Sequence, residues 1–248
     1  MVGKPLYQRY TGTFWGAWMQ DPEPVDPSLE GFIWLTRHFT GKTLYEYRNL
    51  ENFRQDRILK IHDLPDAYFG TGHVAYRGSL YYQRAGYNQI VRYDLAKQRV
   101  LATVKVRRSL YSGGNNYLYS TEYNYYDLAV DENGLWVMYG SSRSRASMLV
   151  SKVNPEHLRL EKTWNVSVDH QTYGNGFIAC GVLYLVRNTT AKETLIDFAY
   201  DLYAKSQLTV RLKFTNPFQM NNMVAYNPLE KKVYTWDKGN QLTYMLLM

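Results

Sequence analysis

A carboxylate sits inside an apolar stretch at "YNYYDLAVDENGLWVMYG", residues 123–140, where Asp127 precedes the turn-forming "DENG". A charge among Leu, Ala, Val and Trp is costly unless something pairs with it. Asp127 is therefore a metal ligand, a catalytic acid or a buried group with a local partner. Glycoside hydrolysis needs a second carboxyl about 5–9.5 Å away across a substrate-sized channel. The neighbours in sequence are Glu122, in a loop, and Asp131, at the strand's end, and neither shares the register of Asp127. The five histidines, His38, His62, His73, His157 and His170, show no metal-ligand spacing, and His73 reads as a satisfied structural histidine. Cys180, in "GFIACGVLYLV", has apolar neighbours rather than the setting of a nucleophile. It fits a small buried hydrophobe or half of a disulfide whose partner lies outside this chain. "SGGNNY", residues 112–117, is glycine-rich but lacks the lysine and strand-to-helix context of a phosphate loop.

Charge offers a second kind of chemistry. The chain carries 29 basic and 22 acidic residues, a net charge of +7. Most are scattered, but Lys105, Arg107 and Arg108 fall together in "KVRR", and Arg143 and Arg145 in "SSRSRAS". These five are candidates for contact with a polyanion such as a sulfated glycan; no nucleic-acid motif accompanies them. Sequons for N-glycosylation occur at Asn165 ("NVS") and Asn188 ("NTT"). No apolar run approaches the roughly 18 residues of a membrane span, so membrane insertion is not expected, and "MVGKPLYQRY" has no signal-peptide core.

The elements that must position these groups repeat. An aliphatic residue followed by an aromatic, just after a turn, appears in "GFIWL", "GSLYY", "NGLWV", "GVLYL" and "KKVYTW", at Trp34, Tyr81, Trp136, Tyr184 and Tyr234. Each is preceded by a short strand-like segment and followed by others rich in β formers, with turn residues between. Units of about four strands at a period near 50 residues describe the blades of a β-propeller. Five fill residues 1–248 as one all-β domain. Because a ring needs its ends joined, "KPLYQRY" is predicted to complete the last blade beside the C-terminal strand. The first strand of each blade lines the central channel. Nine positions before the repeat aromatic lie Gly72, Asp127, Asn175 and Ala225, which places Asp127 and Asn175 side by side in adjacent blades. An acid beside an amide, with strand carbonyls, suits calcium; an Asp–Asn hydrogen bond needs no ion.

The segments "WGAWMQDP", "GTGHVAYRGSLYY", "YDLAVDENGLWVMY", "LVSKVNPEHLRLEKTW", "NGFIACGVLYLV" and "VAYNPLEKKVYTWDKGNQLTY" together resemble the olfactomedin domain, in order and over nearly the whole chain. The photomedin or gliomedin branches look nearest. The resemblance implies a five-bladed propeller at the C-terminal end of a secreted, extracellular-matrix or cell-surface glycoprotein. It implies adhesive or organising rather than enzymatic work, and oligomerisation through upstream segments. It also implies a disulfide from Cys180 to a cysteine just upstream of Val2, outside this chain, which leaves Cys180 here as a buried thiol. A channel calcium in relatives is held at positions matching Asp127, Asn175, the carbonyls of Gly176 and Val224, and Ala225. At Ala225 the family's second carboxylate is lost, and Phe69 stands where some relatives have an acid. Only one carboxylate remains, so the expectation is a degenerate calcium site and no cofactor, with Asp127 paired to Asn175.

Two classes of function follow. One is an extracellular interaction module that binds sulfated glycosaminoglycans through the basic residues, or a protein through the aromatic loop "NNYLYSTEYNYY", residues 115–126. The other is a glycoside hydrolase on a five-bladed propeller.

Overall fold

The alternating aromatic and β-branched segments resolve into antiparallel hairpins that curl round one channel, as half-buried pleated strands do when each sheet packs on its neighbour. The computed structural model describes residues 1–114 and 116–247. Strand β1 (Leu6–Tyr10) comes first. Blade 1 is β2 (Gly16–Gln20), β3 (Ile33–Arg37), β4 (Thr40–Tyr47) and β5 (Lys60–Phe69), with the short α1 (Leu50–Arg54) between the last two. Blade 2 is β6 (Val74–Tyr76), β7 (Ser79–Gln83), β8 (Gln89–Asp94) and β9 (Arg99–Lys105). Blade 3 is β10 (Tyr126–Asp131), β11 (Gly134–Ser141), β12 (Ser144–Asn154) and β13 (Arg159–Ser167). Blade 4 is β14 (Asn175–Ala179), β15 (Val182–Val186) and β16 (Glu193–Asp201), whose outer edge is shared by β17 (Ser206–Leu208) and β18 (Leu212–Thr215). Blade 5 is β19 (Asn221–Asn227), β20 (Lys232–Asp237) and β21 (Asn240–Met245), and β1 returns to pair with β21. The five sheets form a five-bladed β-propeller closed by the N- and C-terminal strands, as the repeat predicts.

Large rings fill the wedges between blades: Trp18, Trp34, Trp136 and Trp236 are all at most 1% exposed. Some of their polar atoms bond across blades, as when Trp18 Nε1 donates to the Thr235 carbonyl at 2.9 Å. Such burial, at about 25 cal/mol per Å² of apolar surface, is the main force holding the ring together.

Strand pairing corrects the register drawn from counting nine positions. Asp127 pairs with Met138, two residues beyond Trp136, and Asn175 pairs with Val186, two beyond Tyr184. In blade 5 Ala225 faces Tyr234 itself, and Met223 is opposite Trp236. The cause is the hairpin: Asn227 and Lys232 enclose four residues, whereas Asp131 and Gly134 enclose two. The ring of equivalent positions is therefore Ala17, Gly72, Asp127, Asn175 and Met223.

Candidate functional site

The channel site begins with Gly72 and Asp127, which form a parallel bridge between blades 2 and 3. A Cβ at Gly72 would stand 2.6 Å from Asp127 Oδ1 and 2.7 Å from its Cα, so only glycine lets the two inner strands approach. Asp127 is 5% exposed. Its Oδ2 accepts from the Tyr119 hydroxyl at 2.8 Å, a partner that sequence spacing does not reveal because Tyr119 comes from the long connection before β10. Burial pushes the Asp127 carboxyl up to about 7, with the Tyr119 bond pulling the other way. Burial, reinforced by the Asp127 charge, raises the Tyr119 phenol well above its ordinary value.

The expected Asp127–Asn175 pair does not form. Asn175 Oδ1 accepts from the Gly176 amide at 2.8 Å, and its Nδ2 is buried without a partner among the described residues. Gly176 and Val224 lie on the inner strands β14 and β19, both buried. Calcium takes six to eight oxygens and gains affinity from carboxylates. Here one carboxylate is tied to a phenol, and the orphan atom on Asn175 is a donor, not an acceptor. Among the described residues no cluster of three His, Cys, Asp or Glu side chains gathers. This donor set does not fit calcium.

Two further expectations are corrected nearby. His73 is less well satisfied than expected: it lies 1% exposed between the Tyr68 and Tyr82 rings, and among the described residues neither ring nitrogen has a hydrogen bond of normal geometry. Burial, only partly offset by the Gly70 backbone, pushes its pKa down to about 3. Cys180 is exposed rather than buried, because it occupies the tight β14–β15 turn at φ 50°. The carboxylates a hydrolase would recruit stand apart. Glu122 is exposed in the connection before β10, and Asp131, at the far end of that strand, binds the Gly181 amide and Trp136 Nε1.

The basic candidates, by contrast, come together. The connection after β9 lies against the β11–β12 hairpin, with Ser142 N donating to the Arg108 carbonyl at 2.9 Å and Leu110 N to that of Gly140 at 3.2 Å. Lys105, Arg107, Arg108 and Arg143 thereby line one groove of about 900 Å³ whose wall has no acidic side chain among the described residues. Arg145 opens onto the adjoining depression and donates to Asn116 Oδ1 at 3.0 Å. All five are exposed, and none is in a salt bridge among the described residues. Asn165, exposed on β13, lines the same groove.

The aromatic loop is anchored rather than loose; its first residue, Asn115, lies outside the described residues. Tyr123 adopts φ 72°, a strained conformation for a bulky residue. It stacks on Phe39 with centroids 3.7 Å apart and planes 3° off parallel, and the half-buried Trp15 meets both rings edge-on.

Comparison with known proteins agrees with this architecture. The family model described as "Olfactomedin-like domain" matches residues 1–248. Myocilin from Rattus norvegicus and from Homo sapiens are each 38% identical over 98% of this chain. The chain covers 49% of either, about half the length of these curated relatives. The expected nearness to photomedin or gliomedin finds no support among them. The crystal structure of Myxococcus xanthus glutaminyl cyclase superposes with TM-score 0.58 over 98% of this chain and 94% of that one; at 14% identity this is a likeness of fold alone. The chain belongs to the olfactomedin family.

Proposed function

We propose that this olfactomedin domain works outside the cell as a non-enzymatic binding module whose ligand is a sulfated glycosaminoglycan held in the groove between blades 2 and 3. The observation that carries the reading is the gathering of Lys105, Arg107, Arg108 and Arg143 round one groove whose described lining residues include no acid. Uncompensated cations on such a wall focus potential, and guanidinium forks match the oxygens of sulfate two at a time. Ser141, Ser144 and Asn165 add neutral hydrogen-bonding groups beside them. Family membership supports the extracellular placement. The separation of Asp127, Glu122 and Asp131 supports a binding rather than a hydrolytic role.

Immobilised heparin tests this. The chain is expected to be retained at about 0.15 M ionic strength, where surface charges are already screened beyond about 8 Å, and to elute only at higher salt. The triple variant Arg107→Ala, Arg108→Ala, Arg143→Ala is expected to elute early with an unchanged Tm. Elution of the unaltered chain below physiological salt sinks the reading. Turnover of an aryl-glycoside that Asp127→Asn abolishes revives the hydrolase instead.

A further inference from the structure

We infer that the cavity beside Trp15, on the face where the inner strands begin, seats an N-linked glycan carried by Asn188. The inference rests on the extracellular reading and is independent of the basic groove.

Asn188 lies in the β15–β16 connection, and its environment is unusually fixed for an exposed loop residue. Its Oδ1 accepts from Thr190 N at 2.7 Å, Ala191 N at 2.9 Å and the Thr190 hydroxyl at 2.9 Å. Its carbonyl accepts from Asn216 Nδ2 at 3.0 Å. Thr189 beneath it is 3% exposed and shares a hydroxyl bond with Thr121 at 2.8 Å, while its carbonyl takes the Asn221 amide. The amide oxygen of Asn188 is thus engaged by its own sequon, and Nδ2 is the atom left for substitution.

Asn188 lines a cavity of about 380 Å³ whose other walls include Trp15, Ser120, Thr121, Glu122 and Met220. Among the described residues no cation lines it, so an anion is a poor match. The pyranose ring has an apolar C–H face and a rim of hydroxyls. An indole surface takes the first, and hydroxyls with a carboxylate take the second. The Trp15 ring is held by its edge-on contacts with Phe39 at 5.8 Å and Tyr123 at 5.3 Å, so little side-chain entropy is lost when a sugar packs on it. An open cavity of this kind binds a free saccharide weakly. A tether of one bond supplies a high effective concentration and makes the protein's own glycan the favoured occupant.

The modification is transfer from a lipid-linked pyrophosphoryl oligosaccharide. A bond forms between Asn188 Nδ2 and the anomeric carbon of the first N-acetylglucosamine. The bond from that carbon to the phosphate oxygen breaks, the lipid pyrophosphate leaves with the electron pair, and the amide nitrogen gives up one proton.

The test directs the full 248-residue chain into the secretory pathway of a mammalian cell with an added leader, and maps glycopeptides by mass spectrometry. Asn188 is expected to be occupied. Protein trimmed to one N-acetylglucosamine is expected to melt about 2–4 °C above the Asn188→Gln chain and to differ from it in tryptophan emission. Trp15→Ala is expected to erase the melting difference while leaving occupancy unchanged. Should Trp15→Ala fail to fold, Trp15→Phe serves, and there the difference should shrink but persist. An unoccupied Asn188, equal melting with and without the sugar, or a difference indifferent to Trp15 overturns the inference. Finding the native protein inside the cell overturns the extracellular reading instead and leaves these measurements standing.

Discussion

Asp127 shows how much one residue can be misjudged when its partners are distant in sequence. The apolar run around it announces a buried carboxylate, and the resemblance implies a role for it at a calcium site. Neither reveals Tyr119, which reaches in from a connection without periodicity and donates at 2.8 Å. With one carboxylate, and with the Asn175 amide donor unpartnered among the described residues, millimolar calcium is expected to leave Tm unchanged, since a ligand that does not bind the native state cannot stabilise it. Tyr119→Phe is expected to cost about 1–3 kcal/mol by leaving the buried carboxyl without its donor. Urea unfolding with and without calcium checks both, and a calcium-dependent rise in the unaltered chain contradicts the metal-free account. A second buried acid gives the pH dependence. Burial pushes the Glu46 carboxyl up, but the bonds from His62 at 2.8 Å and Trp34 Nε1 at 3.1 Å outweigh it and hold the group below its usual 4.5. A carboxyl more acidic in the folded state contributes stability that is full above the unfolded pKa and fades as pH falls through the folded one. Glu46→Gln is therefore expected to flatten the loss of Tm between roughly pH 5 and pH 3, while lowering Tm at neutral pH. A parallel decline in both proteins contradicts it.

At the scale of the element, the period of the repeat was readable because aromatic residues recur after each first hairpin, where wedge packing demands bulk. The pairing register was not, since it depends on hairpin length, and the longer turn of blade 5 moves Ala225 out of line with Asp127. Also hidden was how adjacent blades are fastened. Asp21, just past β2, accepts from Arg77 N at 3.0 Å and Gly78 N at 2.7 Å in the first turn of blade 2. Asp131, ending β10, accepts from Gly181 N at 2.6 Å in the first turn of blade 4 and from Trp136 Nε1 at 2.7 Å. In each case a carboxylate at the exit of one inner strand satisfies the backbone of the next blade's hairpin. The "QDP" and "VDEN" contexts look like ordinary turn chemistry, and only the closed ring gives them a second partner. Asp131→Ala leaves a buried indole N–H and a turn amide unpaired, at a cost of about 1–3 kcal/mol for each group. Asp131→Asn, which keeps one acceptor, is expected to lose less. Equal stability of the two variants by thermal melting argues against this fastening.

For the whole molecule, the question is whether affinity for polyanions belongs to the net charge of +7 or to one place on the ring. "KVRR" and "SSRSRAS" are separated by some thirty residues of aromatic loop and inner strand, and nothing in composition brings them together. The ring does so, by laying the exit of β9 against the hairpin of the following blade. Elsewhere cations are neutralised or dispersed: Arg84 faces Asp66 at 2.9 Å and Arg187 faces Asp197 at 3.0 Å. Arg211 and Lys213 are exposed at the outer edge of blade 4, away from the groove walls. Reversing Arg107 and Arg108 to Glu changes the net charge by the same amount as reversing Arg211 and Lys213 to Glu. If long-range charge alone drives binding, the two double variants leave heparin at the same salt. If the groove holds the ligand, the first pair abolishes retention and the second leaves it nearly intact, because screening confines each charge to about 8 Å at physiological ionic strength. Asn165, which lines the same groove from β13, supplies an independent check. Protein secreted with a glycan on Asn165 is expected to elute at lower salt than the Asn165→Gln chain from the same cells, since the sugar fills the space that a sulfated chain would enter, and identical elution places the polyanion elsewhere on the ring.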